Sequence, residues 1–150
     1  MVVAIAALLG WLLMRRRNRR LAWRQQADGL VRDATALSDL GATGPVTPDA
    51  QQQVAHWSTL EQRATDLLGA IAAASPDSPD DATNRALQVL AAATEDYRTS
   101  VRNTRQLRVG PPAPTAEQLE LADAISTQRL ADLRGATDQL RRTAGGASSG

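Results

Sequence analysis

The sequence has no cysteine, no lysine and no phenylalanine, and its 150 residues include one histidine and one tyrosine. Without Cys there is no disulfide framework, no thiolate nucleophile and no Cys-ligated zinc site. Lys and Phe have AT-rich codons, so their absence fits a GC-rich genome and carries no chemistry. Aromatics are 3% of the chain while hydrophobic residues are 43%. The core must therefore be built from Ala, Leu and Val, small side chains that suit closely packed helices better than a sheet, which favours β-branched and aromatic residues.

Charge of one sign is scarce in one place and dense in another. Residues 1–14 carry no charge, and the stretch "RRRNRR" follows at once. Arg15, Arg16, Arg17, Arg19, Arg20 and Arg24 are six of the seventeen Arg, so the net charge of +1 hides a body with eleven Arg against sixteen acids, about −5. The order is the reverse of a secretory signal, whose positive charges precede its apolar region. We read residues 1–14 as a membrane anchor, with Trp11 as its interfacial aromatic and the arginines on the cytoplasmic side. The expected topology is single-pass in the cell membrane, N-terminus out and body in the cytoplasm. Fourteen helical residues reach only ~21 Å, against a hydrocarbon core of ~30 Å. Snorkelling Arg side chains and local thinning, or residues upstream of Met1, must make up the difference.

After the anchor, 15–24 is a basic juxtamembrane segment that opens the first helix, 25–144 a helical bundle domain and 145–150 a disordered tail. The bundle reading rests on four segments, about 15–40, 48–74, 79–108 and 115–143. Trp23, Ala27, Leu30, Val31, Ala34 and Leu37 recur at the 3 and 4 spacing of one helical face. The second stripe is Val54, Trp57, Leu60, Ala64, Leu67, Leu68 and Ile71. The third is Ala82, Ala86, Leu90, Ala93, Tyr97, Val101, Thr104 and Leu107, and the fourth Leu119, Ala122, Ile125, Leu130, Leu133, Ala136 and Leu140. Thr47 with Pro48, Ser78 with Pro79, and Thr115 with Gln118 read as helix starts. Segments of similar length with short connectors imply antiparallel neighbours. The fold expected is all-α: a short N-terminal anchor, then an up-and-down bundle of three to four helices, with helix one either packed in the bundle or extending the anchor as a stalk.

Few residues point to chemistry. His56 has no acid three or four positions away, which leaves it a boundary histidine rather than a metal ligand. Asp77, Asp80 and Asp81 in "SPDSPDD" lack the alternation and distal Glu of a calcium loop and read as helix-start acids. There is no Walker loop, dinucleotide glycine fingerprint or GxSxG. We therefore expect no catalytic, cofactor or metal residues and no enzyme activity. Arg98, Arg102, Arg105 and Arg108 form a possible docking strip for an acidic partner, set against charge at a helix C-terminus and a local Glu95–Arg98 pair.

The sequence of short apolar leader, "RRRNRR", "LAWRQQ" and Ala-rich helical body resembles small uncharacterised single-pass membrane proteins of high-GC bacteria. That resemblance implies an anchored helical domain and transfers no activity or site. The expected function is a membrane-tethered helical module that binds or organises another protein. The alternative is a membrane-surface binder of anionic lipid or nucleic acid through Trp11 and Arg15 to Arg24. Membrane lipid and a protein are the expected partners, and Ala and Gly in 1–14 permit a homo-oligomer. An acidic body without interleaved aromatics disfavours nucleic acid.

Overall fold

The structure, a computed structural model, describes residues 2–44 and 49–146, with side chains given for Asn18 and from Leu21 onward except Ala50. It is all-helical over these residues: α1 (Val2–Thr43), α2 (Ala50–Ala74), a 3-10 turn (Ser75–Asp77), α3 (Asp81–Val109) and α4 (Ala116–Gly146). Each helix packs against its neighbour in sequence, and α1 also packs against α4, closing a four-helix square. Helix α1 thus belongs to the bundle.

The apolar stripes are the inner faces. From α1 these are Trp23, Ala27, Leu30, Ala34 and Leu37; from α2, Leu60, Ala64, Leu67, Ile71 and Ala74; from α3, Ala86, Leu87, Leu90, Tyr97 and Val101; and from α4, Leu130, Leu133, Ala136 and Leu140. Burying a Leu side chain is worth about 1.5–3 kcal/mol, more than the ~1 kcal/mol of a helix cap, so these stripes rather than the caps hold the helices together. In α3 the expected face is inward from Ala86 to Thr104 and is widened by the buried Thr83, Leu87, Thr94 and Ser100, while Ala82 at its start is exposed.

Helix starts differ in detail from expectation, and for one reason. Asp80, not Ser78, caps α3, its carboxylate accepting from the Thr83 amide at 2.7 Å. Asp49 caps α2 in the same way through the Gln51 amide at 2.9 Å; Thr47 and Pro48 lie outside the described residues. In both "TPDA" and "SPDD" the carboxylate after the proline wins because it is the stronger acceptor at the positive end of the helix. The Thr115–Gln118 box forms as expected, with reciprocal bonds of 2.9 and 3.2 Å.

The anchor expected over 1–14 finds no support. Among the described residues no helix is long and apolar enough to cross a membrane, since the uncharged run is about one-third shorter than the hydrocarbon core. Helix α1 continues from Val2 through the arginine cluster to Thr43 as one helix of 42 residues, about 63 Å long. The side chains of residues 1–17, 19 and 20, among them Trp11, Arg15, Arg16, Arg17, Arg19 and Arg20, lie outside the described residues. Of the tail, Gly145 and Gly146 still belong to α4, and 147–150 lie outside the described residues.

Contacts between helices fix their relative heights. Arg98 reaches Thr65, Arg105 reaches Ser58 and Glu61, and Arg108 lies over Trp57, so α2 descends as α3 rises. Thr104 meets Ser126 and Arg108 meets Asp123, which sets α4 antiparallel to α3. Near its C-terminal end, α1 is level with the middle of α3 and α4: a Cβ added to Gly41 would overlap the Tyr97 hydroxyl and stand 3.2 Å from Leu130 Cδ1. Only glycine permits that approach. Above this level α1 has ended while α2, α3 and α4 continue, so the bundle has four helices in its lower part and three at its upper end.

Candidate interaction surface

The arginine strip of α3 divides three ways. Arg98 holds Glu95 at 2.8 Å, the pair expected from their spacing, and donates to Thr65 Oγ1 on α2 at 3.3 Å. Arg105 stands 3.4 Å from both Glu61 Oε2 and Ser58 Oγ. These two arginines stitch α3 to α2. Arg108 turns the other way, onto the inner stripe that runs through Val101 and Thr104. There its guanidinium donates to both Asp123 oxygens, at 2.8 and 3.1 Å, and lies 6.0 Å from the centre of the Trp57 ring. The arginine stays exposed at this level, where α1 no longer stands opposite, and the aromatic face and the carboxylate satisfy it.

Arg102 is exposed and, among the described residues, has no ion pair or side-chain hydrogen bond. It shares its helix face with Gln106 and Val109, four and seven residues on. Beside them an open cleft of about 470 Å³ lies between α2 and α3, lined by Val54, Arg105, Gln106, Val109 and Gly110. Val109 is 61% exposed. The helix stops there because Gly110 turns into extended backbone while its amide closes on the Gln106 carbonyl at 2.8 Å. The result is an apolar depression with Arg105 in its wall, Arg102 on the same helix face as Val109, and the "GPPAP" connector at its end. Sequence reading placed Val54 on a core stripe and passed over Val109; the only signal in the sequence was that Val109 shares a face with Arg102.

His56 sits at the edge of the same end, half-buried, its ring edge-on to Trp57 with 5.6 Å between centroids. Among the described residues its Nε2 is buried without a hydrogen-bond partner, and burial lowers its pKa, so neutral imidazole is favoured. Among the described residues no group of three His, Cys, Asp or Glu is arranged to hold a metal ion. Asp80 is accounted for as a cap: amide bonds from the start of α3, chiefly that of Thr83, hold its carboxyl below the usual range.

A second polar feature lies lower, between α1 and α4. Thr35, Ser38 and Asp39 face Arg134, Thr137, Asp138 and Arg141 around a groove of about 230 Å³. The hydroxyls of Ser38 and Thr137 donate to the carbonyls of Ala34 and Leu133 one turn back, at 2.9 and 2.8 Å, which is how buried hydroxyls on helices are commonly satisfied. No family model, curated protein or solved structure matches the chain.

Proposed function

We propose that this chain is a non-catalytic helical interaction module that docks an acidic amphipathic helix in the cleft between the upper ends of α2 and α3. The observation that carries it is the combination at one place of exposed apolar surface on Val109 and an arginine, Arg102, without an acid of its own. Apolar anchors of the partner would fill the depression over Val54 and Val109, and a carboxylate on it would meet Arg102. This is the helix-in-groove mode, in which apolar side chains give affinity and rim charges give orientation and rate.

From the sequence pattern alone, an uncharged run followed by an arginine cluster, we further propose that this module sits at a membrane, N-terminus out and body in the cytoplasm. Protease added to spheroplasts should then spare α2 to α4, and their digestion would reverse the orientation. Binding of anionic lipid through Arg15 to Arg24 remains the alternative role; it predicts a steep loss of binding with salt.

A fluorescent synthetic helix with leucines on one face, flanked by glutamates, tests the docking site on the full chain. Val109→Asp and Arg102→Glu should each weaken its binding about tenfold or more, one rim or core contact being worth over ~1 kcal/mol. Leu121→Ser, on a different face, should leave binding unchanged. Absence of binding, or binding indifferent to Val109→Asp and Arg102→Glu, would overturn the proposal.

A further inference from the structure

We infer that the groove between α1 and α4 is a binding site for a small zwitterion of the α-amino acid class. Its walls carry opposite charges that do not meet. Asp39 on α1 and Arg134 on α4 both line it, and neither forms an ion pair among the described residues. The other two charges, Asp138 and Arg141, neutralise each other at 2.6 Å. An isolated Asp and an isolated Arg facing one cavity would hold an ammonium and a carboxylate of one molecule. A lone anion would meet only Arg134 and a lone cation only Asp39, whereas a zwitterion meets both.

The floor adds a second, independent feature. Ser38 is 2% exposed and Thr137 3% exposed, and both line the cavity, whereas the other buried positions of α4, and of α1 after Trp23, carry Ala and Leu. Each hydroxyl proton is already committed to a carbonyl of its own helix. What remains available on both oxygens is lone pairs, which accept from N–H donors. The floor therefore favours an ammonium, whose three donors exceed what Asp39 alone would take. Arg134, whose charge also bears on the Tyr97 phenol, is left to the carboxylate, for which its planar fork is suited.

Size narrows the class. The groove, about 230 Å³, is smaller than the roughly 300–1,000 Å³ that holds drug-sized molecules, and it opens to solvent along one side. A molecule of amino-acid size whose side chain points outward fits both facts, and affinity in the region of ~1 mM is expected of so open a site.

The test is titration of the full chain, followed by backbone amide shifts, with glycine, L-alanine and L-serine, and with acetate and methylammonium as single-charge controls. The proposal expects saturable shifts in 35–39 and 134–138 with the amino acids and none with either control. Arg134→Gln and Asp39→Asn should each weaken binding about tenfold or more, while Arg102→Gln leaves it unchanged. Asp39 and Arg134 are exposed, so retained helical content by circular dichroism separates lost binding from lost fold. Saturation by acetate equal to that by glycine, no saturable shift with any amino acid, or affinity unchanged in both groove variants would each overturn it.

Discussion

Around Leu133, α4 runs beside α1 and α3, and five of its residues from Leu130 to Leu140 are buried; around Leu121 the same helix has α3 beside it but α1 has already ended, and no residue from 116 to 129 is buried. The two halves do not differ in helical register, since Leu119, Ala122 and Ser126 continue the inner face. They differ in what stands opposite. Leu121 is 62% and Ile125 45% exposed in the upper half, and the contacts between helices there are made by hydroxyls and by the exposed Arg108 and Asp123 beside Trp57. Burial in this bundle is set by the length of the neighbouring helix as much as by the side chain that seeks it.

The sharpest way to break that contrast is to truncate both halves alike. Leu133→Ala, at a fully buried position, should cost about 2–5 kcal/mol in chemical denaturation, because the cavity adds to the lost transfer energy. If it costs no more than Leu121→Ala, the lower half is not the packed one.

The boundary between the halves is marked by Tyr97, and pH examines it. Burial pushes its phenol up to about 12 from an ordinary 10.0, partly offset by the charge of Arg134. In the unfolded chain the phenol ionises near 10 while in the folded chain it keeps its proton. Stability is therefore complete below pH 10 and falls, by about 1.4 kcal/mol per pH unit at most, between 10 and 12. The absence of Lys and Cys leaves no other side chain with an ordinary pKa in that window. A tyrosinate absorbance titration reports the phenol alone, and Tyr97→Phe should flatten stability across the window. A phenol that ionises at 10 in the folded protein would mean that the end of α1 does not cover it.

The smallest effect is expected at the upper surface. Leu121→Ser and Ile125→Ser should each change stability by less than about 0.5 kcal/mol, as surface substitutions do. A larger loss would show that a further contact covers this part of α4.

Much of this was legible in the sequence. All six positions of the first stripe, from Trp23 to Leu37, are buried or half-buried, because a 3 and 4 spacing has only one way to face a core. The Glu95–Arg98 pair and the Thr115–Gln118 box were equally local, and both form. What escaped was relative height. Nothing in the pattern of α1 or α2 says that Gly41 lies level with Tyr97, because that depends on how the connector between the two helices is spent. The docking strip suffered for the same reason: Arg98, Arg102, Arg105 and Arg108 are neighbours in sequence and Arg98 has its acid within α3, but only the positions of α2 and α4 decide that Arg105 and Arg108 also find acids within the protein. The α1–α4 groove was out of reach, since its two walls are a hundred residues apart.

That separation has a kinetic consequence. The packing of α1 on α2, α2 on α3 and α3 on α4 joins segments adjacent along the chain, while α1 on α4 joins its two ends. Local pairs close quickly and the distant pair bears the greatest loop entropy, so the α1–α4 seam is expected to zip last. The groove at Ser38 and Thr137 exists only in the closed ring, and any molecule held there would slow its reopening.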